Sequence, residues 1–154
     1  MTTLPFPVAS TCRACRGEWP SLDLLIGDCG MSRAYLFEDQ YFTGWTVLVL
    51  KTHATELFAL AAPDRARLMD EVAAVAQALA EIYHARKINY ELLGNQLPHI
   101  HWHLIPRLPN DPAPLEPVWR ISHPTVSLTP SAAAQDIAEI RRRLATTLTG
   151  FSAP

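Results

Sequence analysis

The chain has 154 residues, of which 49% are hydrophobic and 18% charged, with a formal net charge of −2. That length supports one domain with its own core, and the share of apolar residues excludes a largely disordered chain. The slightly acidic balance argues against binding to nucleic acid polymers, and no apolar run reaches the ~20 residues of a membrane span.

Residues 1–11 read as an irregular arm without the basic and long apolar stretches of a secretion signal, so a cytoplasmic location is expected. Three cysteines suit no disulfide framework. In a reducing compartment the pair Cys12-x-x-Cys15 points instead to metal or redox chemistry. Apolar runs at Leu22–Ile26 and Arg33–Phe37 flank the turn Gly27-Asp28-Cys29-Gly30 and predict an antiparallel hairpin. Cys29, in that turn, reads as a bystander. Gly44 opens Trp45–Leu50, a β-branched stretch that predicts a central strand.

Pro63 with Asp64 beside it predicts a helix start. Leu68, Val72, Val75, Leu79 and Ile82 then form one apolar, core-facing stripe over about 20 residues. His84, at the helix end, reads as structural. Lys87–Leu93 predicts a strand, Gly94-Asn95-Gln96 a turn, and Pro98–Ile105 a further strand closed by Pro106. Four prolines between Leu108 and Pro117 mark an extended connection, and His123 beyond it has no assigned role. Thr129-Pro130 predicts the start of a last helix with Ile137, Ile140, Leu144 and Leu148 on one face and Gly150 as its C-terminal cap. Arg141-Arg142-Arg143 reads as a solvated face of that helix. Strand pairs joined by short turns give an α+β class with an antiparallel sheet.

The stretch His99-Ile-His101-Trp-His103-Leu-Ile105 carries the chemistry. On a strand, alternate residues share a face at about 6.5–7 Å per step, so three imidazoles are expected in line, with Ile100, Trp102 and Leu104 facing a core. Neutral imidazole serves as nucleophile, acid/base or metal ligand. Two chemistries fit. Two or three of the rings could hold one catalytic metal with an open water site, as in a metal hydrolase or lyase. Alternatively, one ring attacks an electrophile while its neighbours stabilise charge.

The three alternating histidines followed by two apolar residues, together with Gly44…Val-Leu-Val-Leu-Lys51-Thr-His53, resemble the histidine-triad family of nucleotide hydrolases and transferases. Leu50 stands where many members have Pro. The likeness spans about residues 12–107, leaving a Pro-rich connection and C-terminal helix over 108–154. It implies a five-stranded antiparallel sheet with one long helix packed on it, and a homodimer that pairs two sheets across a two-fold axis.

The resemblance also implies site roles. His101 would be the nucleophile on the α-phosphorus of a nucleotide, with its other ring nitrogen donating to a backbone carbonyl. His103 would donate to phosphoryl oxygens. Asn89, Asn95 and Gln96 match the polar residues that contact phosphates or the leaving group, on a loop one residue shorter than in many relatives. Glu38 and Asp39 are candidates for the ribose-binding acid. Arg107 could neutralise phosphate charge or form a salt bridge to a partner. Some branches bind structural zinc, which maps to Cys12, Cys15, His53 and His99, a chemically sensible tetrahedral set. Substrates would be dinucleoside polyphosphates or nucleoside phosphoramidates, with no organic cofactor. The rivals are a hydrolase with a catalytic metal and a nucleotide-binding regulatory protein with an idle site.

Overall fold

A computed structural model describes residues 9–154; most of the arm expected over 1–11 lies outside the described residues. Five strands, β1 (Leu25–Asp28), β2 (Ser32–Leu36), β3 (Thr46–Leu50), β4 (Lys87–Glu91) and β5 (His101–Arg107), form one sheet in the order β1-β2-β3-β5-β4. Every neighbouring pair is antiparallel. Helix α1 (Ala62–Tyr83) carries the chain from β3 across to β4, and β5 then inserts between them. Helix α2 (Pro130–Thr147) packs beside α1 and against β1. The α+β class and the five-stranded sheet expected from the sequence are borne out.

Both helices cover one face. Ile26, Ala34, Leu36, Leu48 and Leu104 meet Val72, Val75 and Leu79 of α1 and Ile137, Ile140 and Leu144 of α2. Each Val, Leu or Ile side chain among them, once fully buried, contributes about 1.5–3 kcal/mol. Among the described residues no helix is long and apolar enough to cross a membrane. The opposite face carries Tyr35, Val47 and Val49 beside the histidines, and Ala14 and Trp19 of the N-terminal segment pack on it.

Several boundaries differ from the sequence reading. Leu22–Leu24 is a short 3₁₀ turn, and β1 starts at Leu25, where pairing with Tyr35 begins. Strand β5 starts at His101 rather than Pro98. Before it, Ile100 bonds outward to Leu50 and Ala54 instead of joining a regular ladder. β5 continues through Pro106, opposite Ile88, because past Thr46 it has lost its β3 neighbour and tolerates a residue without an N–H. β4 ends at Glu91, short of Leu93.

Thr129 caps α2 by accepting the Ala132 N–H at 3.2 Å. The helix is closed by Leu148 rather than Gly150. Gly150 (φ 86°) instead turns the chain so that Ser152 bridges Asp28 at the sheet edge. Arg141 is no solvated residue: its guanidinium donates to the carbonyls of Ile26 at 2.7 Å and Leu25 at 2.8 Å, tying α2 to β1. Arg142 and Arg143 pair with Glu139 and Glu81. His84 takes the left-handed conformation that ends α1.

Candidate active site and metal centre

The β5 register puts His101 opposite Val49 of β3, and His103 between Val47 of β3 and Glu91 of β4. Both rings stand on the face away from the helices, 5.2 Å apart, and both residues are only 6% exposed. His101 Nδ1 lies 2.7 Å from the His99 carbonyl oxygen. That oxygen can only accept, so Nδ1 carries the hydrogen and Nε2 keeps its lone pair. Burial pushes the pKa of His101 down. Burial, and then the neighbouring His101, push His103 down to about 3. Both rings are therefore neutral near pH 7.

Aromatic side chains enclose the pair. Trp19 meets His101 edge-on at 5.1 Å. Phe37, Trp45 and Trp119 surround His103 at 5.3, 5.6 and 5.1 Å. The Trp45 indole nitrogen lies 3.0 Å from His103 Nδ1.

His99 precedes the strand and turns elsewhere, so the expected line of three imidazoles is a line of two. Its Nε2 donates to the Leu50 carbonyl at 2.7 Å. Its Nδ1 faces Cys12 Sγ at 3.4 Å and Cys15 Sγ at 3.6 Å. His53 Nδ1 lies 3.3 Å from Cys15 Sγ. The four ligand atoms all fall within 4.8 Å of one another. A tetrahedron with metal–sulfur bonds of ~2.3 Å and metal–nitrogen bonds of ~2.0–2.1 Å has edges of about 3.3–3.8 Å. The donor set thus fits a zinc ion, and the Leu50 carbonyl fixes the His99 tautomer as carbonyls do for metal-bound histidines. Burial and the adjacent Cys12 push the Cys15 thiol up to about 11. A thiol raised in this way keeps its proton near pH 7 until a bound cation displaces that proton to solvent.

The remaining expected residues divide. Asn95 and Gln96 are exposed in the turn before the histidine stretch. Asn89 accepts from Arg107 at 2.6 Å. Arg107 is buried and also donates to Asp111, to the Glu116 carbonyl at 2.9 Å and to the Ala113 carbonyl at 2.7 Å. Its guanidinium is spent on pinning the proline-rich connection, which favours the salt-bridge alternative over phosphate binding. Asp39 accepts the backbone N–H of Tyr41 and of Val126, each at 3.0 Å. His123 stacks on Tyr41 at 4.1 Å and lies 3.6 Å from Asp39. Glu38 is exposed.

A cavity of about 290 Å³ opens here, lined among others by Phe37, Glu38, Trp45, Trp119 and His123. The sequence reading missed Trp19, Trp45 and Trp119. A Trp in each of three separate segments was the available signal, but spacing along the chain does not show that their rings converge.

The HIT domain model matches residues 26–110, more than half of the chain. The chain belongs to the histidine triad family. A histidine triad protein of Bradyrhizobium japonicum is 32% identical, with a TM-score of 0.71 over 77% of this chain and 88% of that one. A zinc-bound histidine triad family protein of Mycobacterium smegmatis shares the fold at 20% identity and TM-score 0.66, covering 90% of this chain and 96% of that one. The Plasmodium falciparum diadenosine triphosphate hydrolase shares it at 12% identity and TM-score 0.59, over 84% and 82%. No curated protein matches the chain. The match to this family of nucleotide-binding proteins confirms the resemblance read from the histidine stretch.

Proposed function

We propose that this histidine triad protein is a nucleotide hydrolase or nucleotidyl transferase that works through a covalent nucleotidyl-histidine on His101. The observation that carries this reading is the bare Nε2 of a neutral, buried ring whose other nitrogen is held by the His99 carbonyl. That lone pair attacks the α-phosphorus of the substrate. The bond from phosphorus to the leaving oxygen or nitrogen breaks, and the leaving group departs with the electron pair and takes up a proton. Water then attacks phosphorus, the bond to His101 breaks, and nucleoside monophosphate is released. His103 donates to the phosphoryl oxygens as charge develops.

The substrate class is a nucleoside 5′-phosphoryl group joined to a second phosphate chain or an amine, as in a dinucleoside polyphosphate or a phosphoramidate. The cavity beside Trp45 and Trp119 has room and aromatic walls for a nucleoside. Glu38 is the acid left to take the ribose hydroxyls, since Asp39 holds Tyr41 and Val126. Asn95 and Gln96 meet the phosphates or the leaving group.

Zinc on Cys12, Cys15, His53 and His99 is structural in this reading: it would fasten the N-terminal segment, and with it Trp19, to the sheet. Chemistry on a single ion held by all three triad histidines is disfavoured because both ring nitrogens of His99 are engaged elsewhere, Nδ1 with the cysteines and Nε2 with the Leu50 carbonyl. Two cysteines given to a metal, and Cys29 outside any disulfide, fit a reducing, cytoplasmic compartment. The open edge of β4, with Tyr90 exposed, is the place for sheet-to-sheet pairing in a homodimer.

The test is turnover of diadenosine polyphosphates and nucleoside phosphoramidates by the wild type and by His101→Ala. The wild type should release nucleoside monophosphate without added metal, and the variant should be slower by about a thousandfold or more. Nucleotide binding without turnover would make the protein a regulatory binder. Loss of turnover on chelation without unfolding would assign a catalytic ion.

A further inference from the structure

Trp45 stands just before β3, is 2% exposed, and packs with Phe42, Ile105 and Val118. Its indole nitrogen lies 3.0 Å from His103 Nδ1. An indole nitrogen carries one hydrogen and accepts nothing, so the direction of this bond is fixed. Trp45 donates, Nδ1 of His103 accepts, and the neutral ring holds its proton on Nε2. His101 has the opposite arrangement, with its proton on Nδ1 and its lone pair on Nε2. Two imidazoles on one sheet face thus present opposite polarity, a lone pair beside an N–H. Attack on phosphorus with charge developing on its oxygens uses that combination.

We infer that Trp45 is a positioning residue that locks His103 in the Nε2–H tautomer, making the ring a neutral hydrogen-bond donor beside the nucleophile. This rests on the reading of His101 as nucleophile. A second proton on His103 would have to sit on Nδ1, where the Trp45 N–H already points. Burial acts in the same direction. The titratable groups facing His103 are His101 on its own strand and Glu91 on β4, and Glu91 is turned to the indole N–H of Trp119. Phe37 meets the ring in a T-shaped contact and has no N–H to offer it. A Phe or Leu at position 45 would fill the same core space and leave the tautomer unset.

The experiment is nitrogen NMR of histidine-labelled wild-type protein without substrate. The expected result is His103 with a bare Nδ1 coupled across the hydrogen bond to the Trp45 indole, and His101 with the reverse pattern. A protonated Nδ1 on His103 would overturn the inference. In Trp45→Phe, which keeps an aromatic ring, kcat should fall by about tenfold with KM within about threefold, and His103 should show both tautomers. Wild-type kcat in that variant would also overturn it. Should the variant fail to fold, the wild-type resonances decide alone. Absence of turnover in the wild type would overturn the nucleophile reading instead, which is distinguishable because the tautomer is read without substrate.

Discussion

The carbonyl oxygen of His99 accepts the Nδ1–H of His101 at 2.7 Å, while the His99 ring turns its Nδ1 to Cys12 and Cys15. One residue therefore serves two centres. Its backbone orients the proposed nucleophile, and its side chain completes the cysteine cluster. Purified protein should carry about one zinc per chain, bound by four ligands. Cys12→Ser/Cys15→Ser should bind none and lose at least about 2 kcal/mol of stability relative to the zinc-loaded form. Elemental analysis and thermal unfolding check both expectations, and full zinc retention in the double variant would refute the assignment.

Glu38 and Asp39 are adjacent but differently employed. Glu38→Gln should raise KM for ribonucleotide substrates severalfold and leave the melting temperature near the wild-type value. Asp39→Ala should instead loosen the segment around Val126 and cost about 1.5–3 kcal/mol, the value of hydrogen bonds to a charged group. Steady-state kinetics beside thermal melts separate the two.

Arg107 and Asp111 form a buried pair, their side chains 6% and 2% exposed. Removing Arg107 strands the carboxylate and two carbonyls, so Arg107→Met should cost about 3–5 kcal/mol. Burial on its own would raise the Asp111 pKa, but the Arg107 bond, the Ala113 N–H and the Arg107 charge overcome it and hold the carboxyl below its ordinary value. A depressed folded pKa contributes stability that is present above the unfolded value of about 3.9 and is lost as pH falls through the folded value. That acid-side loss should vanish in Arg107→Met. Urea unfolding between neutral and acid pH reads it.

Trp119 is 50% exposed, so Trp119→Ala should change stability little. It walls the cavity next to His103, and its loss should weaken nucleotide binding by about tenfold through lost stacking. Calorimetric titration of a nucleoside monophosphate measures this directly.

The elements legible in the sequence are those with a local period. The stripe from Leu68 to Leu79 and the alternation around His101 both report a face, because helix and strand geometry act over a few residues. The cysteine spacing likewise pointed to Cys12 and Cys15 as partners in a cluster. Long-range closure was not legible. Trp45 reaches His103 across 58 residues, and Val126 reaches Asp39 across 87, with no pattern in the chain to announce either. Arg141 read as solvated because its acceptors, the carbonyls of Leu25 and Ile26, belong to a strand more than 110 residues away. His99 left the expected line because Ile100 bonds to Leu50 and Ala54, so the regular strand starts at His101, three residues later than expected.

The most direct measurement is intact-protein and peptide mass spectrometry after rapid alkaline quenching of wild-type protein with a diadenosine polyphosphate. The expected result is an adenylyl group on the peptide containing His101, its loss in His101→Ala, and adenylate release at the rate the adduct decays. Turnover that proceeds in His101→Ala at the wild-type rate would contradict it.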